Sequence, residues 1–363
     1  MRPSPTVARH VRRVAFLAFV PLALSCTSAP SPTPDASPST TPTPSLRSLA
    51  HERGIEVGTA VSAGPLRREP SYAETLAREF GMLTTENAAK FGPVHPEPDR
   101  YDFADADFIV GFAEAHDMRV RGHTLVWHNQ LPAWLTEGSW TRDELIDILR
   151  GHITTVVGHY RGRVAAWDVV NEAVADDGSL RDTIWLRGIG PEYVDMAFRW
   201  AHEADPDALL FYNDYAGEGL GPKSDAIYAL VQGLLERGVP INGVGLQMHV
   251  SLRWPPDPEA VAANMARLGA LGLQVHVTEM DVRIQDGVGT TEERLAAQAG
   301  VYRDMMDVCL ESSACEAFVT WGFTDRHSWI PAFTGHPDAP LLFDESYRPK
   351  PAYYAIMDAL DER

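Results

Sequence analysis

Short apolar runs, eight in number, recur about every 40 residues from residue 54 onward, with stretches of helical periodicity between them. They cover residues 54–61, 81–87, 118–127, 164–172, 208–214, 243–250, 273–281 and 316–323. Strands that alternate with helices favour a parallel sheet, and eight is the number that closes a barrel. We therefore predict the α/β class, with one (β/α)8 TIM barrel over residues 46–363.

The N-terminus has the pattern of an export signal. Residues 14–25, "VAFLAFVPLALS", form an apolar core that is too short to span a bilayer, and four arginines precede it: Arg2, Arg9, Arg12 and Arg13. We predict a signal peptide over residues 1–25, with "LALSC" as a bacterial lipobox that ends at a lipidated Cys26. An ordinary cleaved signal peptide is the alternative, and the adjacent arginines leave Sec and twin-arginine export both open.

Residues 26–45 are predicted to be a disordered linker. Residues 27–45 contain six Pro and ten Ser or Thr, so they offer little apolar surface to offset the entropy of ordering. Such a spacer would hold the barrel away from the cell surface. We expect an exported protein, either a cell-surface lipoprotein or a secreted one.

The charge of the chain limits its partners. The formal net charge is −19, which repels nucleic acid, and no basic patch offsets it. We expect no nucleic-acid partner, contact with a membrane only through an N-terminal lipid, and a monomer.

Polar residues stand where seven of the eight predicted strands end. One buried polar group is usually satisfied inside a core, but seven at the same end would each need a partner in an apolar interior. The C-terminal ends of barrel strands carry the chemistry of this fold. The residues concerned are Glu86–Asn87, His123, Trp127–His128, Asn171–Glu172, Asn213–Asp214, Gln247, His249, Glu279, Asp281 and Trp321.

Two glutamates at these ends form a candidate catalytic pair. Glu172 ends the fourth predicted strand and Glu279 lies on the seventh, so the two would face each other across the barrel mouth. Two carboxyl groups at close range cannot share one pKa. Glycoside cleavage uses such an asymmetric pair, with one protonated acid and one ionised group.

Several motifs resemble those of glycoside hydrolase family 10, whose members are mainly endo-β-1,4-xylanases. They are "ENAAKF", "RGHTLVWHNQLPAW", "WDVVNEA", "GVGLQMHV", "VTEMD" and "WGFTDRHSW". The resemblance runs from about residue 50 to residue 360. It implies a retaining, metal-independent barrel enzyme that needs no cofactor and hydrolyses internal bonds of xylan or xylo-oligosaccharides.

The resemblance also assigns the catalytic roles. Glu172 corresponds to the general acid/base and Glu279 to the nucleophile, which in a retaining enzyme lie about 5–5.5 Å apart. Asn171 corresponds to the residue that binds the sugar 2-hydroxyl. His249, in the Gln247-x-His249 motif, resembles the histidine that donates to the nucleophile.

Other residues resemble parts of the family's sugar-binding cleft. Three residues are expected to support the catalytic groups without contacting the sugar: Asp281, which would hold the histidine, Asn213 and Asp214. Asp168 is expected to be a satisfied acid of the barrel interior. The residues expected to line the cleft are Glu86, Asn87, Lys90, His123, Trp127, Gln130, Gln247, Trp321 and Trp329. Phe91 and His327 depart from the Trp and Tyr that the family commonly has.

Cysteine and histidine usage leaves further alternatives. Cys309 and Cys315 lie six apart; an export leader favours a disulfide over two buried thiols, and the family often has a small disulfide loop at this place.

Zinc held by His123 and His128 is the rival interpretation of the histidines. No third zinc ligand lies at a recognisable spacing from His123 and His128, so we expect no metal site.

Two other functions remain open from the residues. A barrel glycosidase acting on β-1,4-glucan would use the same carboxylates. Lys90, Glu86 and the tryptophans crowd the position of the glucose hydroxymethyl group, which favours xylose. A surface lipoprotein that only binds polysaccharide would need the aromatic platforms but not both Glu172 and Glu279.

Overall fold

A computed structural model of the protein describes residues 44–362 and the single residue Ala18. Apart from Ala18, the predicted signal peptide and Cys26 lie outside the described residues, as does the linker up to residue 43. Ser45, the last residue of the predicted linker, accepts a hydrogen bond from the Ser48 backbone N–H and caps the first helix. No described helix is long and apolar enough to cross a membrane.

The strands form a closed parallel barrel, which confirms the predicted fold. Strands β1 to β6 pair in chain order, β1 also pairs with β9, β9 pairs with β8, and β8 pairs with β6 to close the ring. The strands are β1 (Glu56–Ala60), β2 (Met82–Thr84), β3 (Arg119–Val126), β4 (Ala166–Asn171), β5 (Leu209–Asp214), β6 (Gly243–Leu246), β7 (His249–Ser251), β8 (Gln274–Arg283) and β9 (Cys315–Thr320).

Helices pack around this barrel. Capping boxes begin the two longest, at Thr141 and Thr290, where the threonine hydroxyl accepts from the third helical N–H and a glutamate accepts from the threonine N–H. The helices are α1 (Leu46–Arg53), α2 (Ala63–Arg68), α3 (Pro70–Glu79), α4 (Phe91–Val94), α5 (Ala104–Ala115), α6 (Ala133–Thr136), α7 (Arg142–His159), α8 (Ile184–Gly188), α9 (Tyr193–Ala204), α10 (Pro222–Glu236), α11 (Pro258–Gly269), α12 (Thr291–Glu311), α13 (Ile330–Thr334) and α14 (Pro351–Asp361).

The sixth predicted strand differs from the expectation. Residues 243–250 were expected to form one strand, but the structure breaks it into β6 and β7 at Gln247–Met248. Met248 has a φ of 65°, in the left-handed region that ends a regular strand. The break turns β7 so that it pairs only with the far end of β8.

The predicted disulfide is confirmed. Cys309, near the end of α12, and Cys315, the first residue of β9, have an S–S distance of 2.01 Å. The bond ties the last long helix to the last strand of the barrel.

A buried histidine lies under the loop that follows β2. His152 of α7 stacks on Phe91 with ring centroids 3.8 Å apart, and neither of its ring nitrogens has a hydrogen-bond partner. Burial, and to a smaller extent the neighbouring His95, hold the pKa of His152 well below its ordinary value. The fold therefore accepts only the neutral imidazole at this position.

We predict that His152→Phe makes the protein less sensitive to acid. In the unfolded chain a histidine takes up a proton below about pH 6.5, whereas the folded protein excludes that proton. The free energy of unfolding therefore falls as pH drops below this value, by up to about 1.4 kcal/mol per pH unit for one group. Phe keeps the stacked ring and removes this contribution. Urea unfolding of both proteins between pH 5 and pH 8 measures it.

His202→Gln, at an exposed position of α9, is the matched control and should follow the wild type at every pH. Parallel stability curves for His152→Phe and the wild type would show that His152 takes up its proton as easily in the folded protein as in the unfolded chain.

Candidate active site

A cleft of about 1020 Å³ opens at the C-terminal ends of the barrel strands. Every residue predicted to act on or bind the substrate lines it. They are Glu86, Asn87, Lys90, His123, Trp127, Gln130, Asn171, Glu172, Gln247, His249, Glu279, Trp321 and Trp329. Asn213 and Asp281 lie behind this lining and contact it, as described below.

Glu279 is a buried carboxylate held by two side chains. It lies on β8 with 4% of its surface exposed. Asn213 donates from Nδ2 to Oε1 at 2.6 Å, and His249 Nε2 lies 3.2 Å from Oε2. Burial alone would raise the pKa of Glu279, but His123 and the hydrogen bond and charge of His249 outweigh it and lower that pKa. Glu279 is therefore ionised at neutral pH.

Glu172 follows the last residue of β4 and turns its side chain into the cleft. Its φ is 57°, a left-handed conformation that is uncommon for a residue other than glycine. The backbone is fixed on both sides: its N–H donates to the Asn213 carbonyl at 2.9 Å, and Arg181 Nε donates to its carbonyl oxygen at 2.8 Å. This strained position is held by its neighbours, as is common at functional sites.

A chain of side-chain amides joins the two glutamates. Asn213 Nδ2 also donates to Asn171 Oδ1 at 2.9 Å, and Asn171 Nδ2 lies 3.3 Å from Glu172 Oε1. Gln247 Nε2 donates to the same Glu172 oxygen at 3.1 Å. Glu172 and Glu279 therefore belong to one hydrogen-bonded cluster in one cleft. They are not isolated surface acids.

His249 and Asp281 form a charged pair beside Glu279. His249 Nδ1 lies 2.8 Å from Asp281 Oδ2, and the same oxygen accepts from Trp329 Nε1 at 2.8 Å. Burial opposes a charged imidazole, but the Asp281 carboxylate and Glu279 together raise the pKa of His249 to about 10. His249 is thus protonated at neutral pH and donates to both carboxylates.

Two tryptophans and a lysine build one wall of the cleft. Lys90 Nζ lies 4.8 Å from the ring centroid of Trp127 and 5.6 Å from that of Trp321, within reach of a cation–π interaction. It donates to Asn87 Oδ1 at 2.8 Å, and Gln130 Nε2 lies 3.3 Å from that oxygen. Burial lowers the pKa of Lys90 against the attraction of the nearby glutamates. These donors and flat rings suit sugar hydroxyls and C–H faces.

Glu86 completes this group, which we call the clamp (Glu86, Asn87, Lys90 and Gln130). Asn87 Nδ2 donates to Glu86 Oε1 at 2.9 Å. Both Glu86 and Gln130 have positive φ values, 38° and 49°. The loops after β2 and β3 thus bend sharply to direct these side chains into the cleft.

Sequence reasoning missed the ion pair beneath the site. Arg121 of β3 is fully buried and pairs with Asp168 of β4. Asp168 also lies 2.9 Å from His123 Nδ1, and Arg121 Nη1 lies 2.9 Å from His276 Nδ1. Asp168 is therefore satisfied in the barrel interior, as expected, although its partner was not identified. The available signal was the i, i+2 spacing of Arg121 and His123, which places both side chains on one face of a strand.

Two further residues near the glutamates had been given no catalytic role. His128 Nδ1 lies 3.9 Å from Glu172 Oε2, and burial lowers the pKa of this histidine against the attraction of Glu172. Glu218 accepts hydrogen bonds from the backbone N–H groups of Ala216 and Met248, at 3.1 and 3.0 Å. Glu218 thereby fixes the left-handed Met248 between Gln247 and His249. Within residues 44–362, no group of three or more His, Cys, Asp or Glu residues could hold a metal ion.

We predict that Asp281→Asn lowers the pKa of His249 from about 10 toward the ordinary histidine value of about 6.5. The cause is the loss of the Asp281 carboxylate, whose negative charge contributes most to stabilising the protonated imidazole of His249. Nitrogen-15 NMR of the imidazole through a pH titration measures the shift.

The matched control for this titration is Asp257→Asn, which removes a charge that lines the same cleft but forms its hydrogen bond with the Glu259 N–H. His249 should titrate there as in the wild type. An unchanged titration in Asp281→Asn would contradict the assignment of Asp281 as the group that keeps the imidazole charged.

Comparison with known proteins agrees with this geometry. The sequence model of glycosyl hydrolase family 10 matches residues 45–359. The chain is 47% identical over 320 residues to endo-1,4-β-xylanase B of Thermotoga neapolitana, which covers 88% of this chain and 92% of that protein.

Solved structures resemble the fold as well. A crystal structure of xylanase 10B from Thermotoga petrophila in complex with xylobiose has a TM-score of 0.86 and 46% identity, covering 89% of this chain and 99% of that one. A mutant of the intracellular xylanase TsXylA from Thermoanaerobacterium saccharolyticum, in complex with xylotetraose, has a TM-score of 0.80 and 39% identity. It covers 87% of this chain and 99% of that one.

Proposed function

The chain belongs to glycosyl hydrolase family 10, and we propose that it hydrolyses internal β-1,4-xylosidic bonds of xylan with net retention, Glu279 acting as nucleophile and Glu172 as general acid/base. One observation carries the assignment of the residues. Both carboxyl groups face one cleft and are joined through Asn171 and Asn213 in a single hydrogen-bonded cluster.

In the first step, Glu279 attacks the anomeric carbon while the bond from that carbon to the leaving oxygen breaks. Glu172 donates its proton to the leaving oxygen, so the shortened chain departs as a neutral alcohol. A covalent glycosyl-enzyme ester remains on Glu279. The lowered pKa of Glu279 matches this role because the nucleophile must be ionised before it attacks.

In the second step, Glu172 takes a proton from water, and the water oxygen attacks the anomeric carbon from the side that the leaving group vacated. The ester bond breaks and Glu279 regains its negative charge. While the ester exists this charge is absent, which favours the ionised form of Glu172 that the step requires. Protonated His249 stabilises the carboxylate that returns.

Asn171 and the clamp are proposed to position the sugar rings. Asn171 lies between the two glutamates, where its amide can donate to the sugar 2-hydroxyl as positive charge develops on the ring. The clamp supplies a carboxylate, amides and an ammonium for the hydroxyls of the next sugar. Trp127, Trp321 and Trp329 offer apolar faces. Complexes of similar xylanases with xylobiose and xylotetraose support binding of xylo-oligosaccharides.

The proposal extends to the N-terminus. The arginines and the apolar core of residues 2–25, followed by Cys26, support export and a lipid anchor at that cysteine. The spacer would then give a monomeric barrel access to insoluble polysaccharide outside the cell.

We predict opposite kinetic patterns for the two glutamate variants. Glu279→Ala should lose activity on every xyloside because no covalent intermediate can form. Glu172→Ala should lose roughly 10²–10⁴-fold on xylan, yet should still release a nitrophenolate from an aryl xylobioside, since this leaving group needs little help from a proton. Initial rates on both substrates measure the difference, and proton NMR of wild-type products should show the β-anomer first.

Glu345→Ala, at an exposed position after β9, is the control and should behave as the wild type, with circular dichroism reporting folding for all variants. Near-wild-type xylanase activity in either cleft variant would refute its assigned role, and early accumulation of the α-anomer would exclude retention.

Substrate choice separates this proposal from a β-1,4-glucanase. Lys90 and Trp321 are buried and line the cleft together with Glu86, and we propose that these side chains crowd the position of a glucose hydroxymethyl group. We predict release of reducing ends from xylan and far slower release from carboxymethyl-cellulose, measured at equal substrate mass. Equal or faster cleavage of the cellulose derivative would favour the glucanase, and no release from either would favour a protein that only binds polysaccharide.

A further inference from the structure

Two arginines at the rim of the cleft lack the carboxylate partners that most arginines of residues 44–362 have. Arg121, for example, pairs with Asp168, and Arg267 pairs with Asp225. Among the described residues, neither Arg253 nor Arg283 forms an ion pair or donates a side-chain hydrogen bond. Arg283 is half-buried and lines the cleft. A partly desolvated guanidinium without a partner is a prepared site for an anion.

The backbone holds these two arginines side by side. Arg283 ends β8 and is in register with Ser251 of β7. Its carbonyl oxygen accepts from the Leu252 N–H at 3.0 Å, and the Trp254 N–H donates to the Ser251 carbonyl at 3.0 Å. The turn that carries Arg253 and Trp254 is therefore fixed directly against the end of β8.

Trp254 makes this rim a surface for sugar. Its side chain is 72% exposed, one of the most exposed large apolar groups among residues 44–362, and it lines the cleft. The Arg253 guanidinium lies 5.5 Å from the centroid of its ring. An exposed indole at the mouth of a sugar-binding cleft offers a flat apolar face for a sugar ring.

The acidic residues on the same side of the cleft are already engaged. Glu218 accepts from two backbone N–H groups, and Asp257 accepts from the Glu259 N–H at the start of α11. Neither lies within ion-pair distance of the two arginines. Among residues 44–362, no carboxylate therefore forms an ion pair with either positive charge. Arg283 lines the cleft, and Arg253 is exposed beside it.

We propose that Arg283, with Arg253 beside it, binds the carboxylate of a uronic-acid side group on the xylan main chain, while Trp254 supports the adjoining sugar ring. This inference rests on the proposed xylanase function and names the decorated substrate that the site prefers. A guanidinium binds a carboxylate with two parallel hydrogen bonds, a geometry that a neutral pentose side group cannot supply.

The positions of Arg283 and Trp254 define where the acidic side group would lie. The clamp follows β2 and β3, whereas Arg283 and Trp254 follow β8 and β7, on the opposite side of the barrel ring. The site thus recognises a side group across the cleft from the clamp. Cleavage of glucuronoxylan then occurs at bonds with a fixed spacing from the uronic acid.

The test compares the wild type with Arg283→Ala on glucuronoxylan, on the same polymer after chemical reduction of its carboxyl groups, and on unsubstituted xylohexaose. The measured quantity is kcat/KM for each polymer relative to xylohexaose. For Arg283→Ala this ratio should fall roughly tenfold on glucuronoxylan, the loss of one charge-assisted contact. Carboxyl reduction should lower the wild-type ratio by a similar factor and leave the variant's ratio unchanged.

Arg161→Ala is the matched control, since Arg161 is exposed and precedes β4 at the opposite end of the barrel. Arg283→Lys keeps the charge but not the paired hydrogen bonds and should lie between the alanine variant and the wild type. The inference is overturned if Arg283→Ala has the same kcat/KM ratio on glucuronoxylan as the wild type. It is also overturned if reduction of the carboxyl groups leaves the wild-type ratio unchanged. Absence of cleavage of xylohexaose by the wild type would instead reject the xylanase function itself.

Discussion

The central constraint on this site is the burial of a carboxylate that must remain charged. An ionised carboxyl group in a low-dielectric interior is unfavourable unless it is paired and hydrogen-bonded. Glu279 meets this condition through Asn213 and His249, and His249 is itself kept protonated by Asp281. Each partner comes from a different strand, so the charge on Glu279 is stable only when β5, β7 and β8 have assembled. The barrel is therefore a requirement of the chemistry as well as its support.

The same constraint explains why the sixth strand is broken. In a regular strand, the side chains of Gln247 and His249 would point to one face of the sheet and that of Met248 to the other. The strand would also continue to pair with β8. The left-handed Met248, held by Glu218, instead lets Gln247 reach Glu172 and His249 reach Glu279. Gly245 contributes as well, because a Cβ there would overlap the Asn213 side chain that contacts the nucleophile. One irregular segment thus serves both catalytic groups.

The sequence predicted the elements whose signal is local. Strand runs, their polar ends and the pair Glu172 and Glu279 could be read because alternation and position in a barrel are properties of short segments. The Arg121–Asp168 pair was not predicted, because the contact depends on the register of β3 against β4, which the sequence does not show. The role of Glu218 depends on backbone groups of another loop. The break at Met248 depends on a φ value that a methionine seldom adopts, so no composition rule indicates it.

Net charge places a final condition on an acidic substrate. A protein with a formal charge of −19 repels a polyanionic xylan at long range, but salt screens such repulsion beyond about 8 Å at physiological ionic strength. Within that distance, the charges of nearby side chains determine whether an acidic group is attracted or repelled. On the side of the cleft that holds the clamp, the positive charge of Lys90 is offset by Glu86, Glu172 and Glu279. Among residues 44–362, Arg253 and Arg283 form no ion pair, so under the proposed uronate site an acidic side group would gain attraction when the chain is oriented with that group toward β7 and β8. Under this proposal the distribution of charge within the cleft, rather than the net charge of the molecule, sets the direction in which a decorated chain binds.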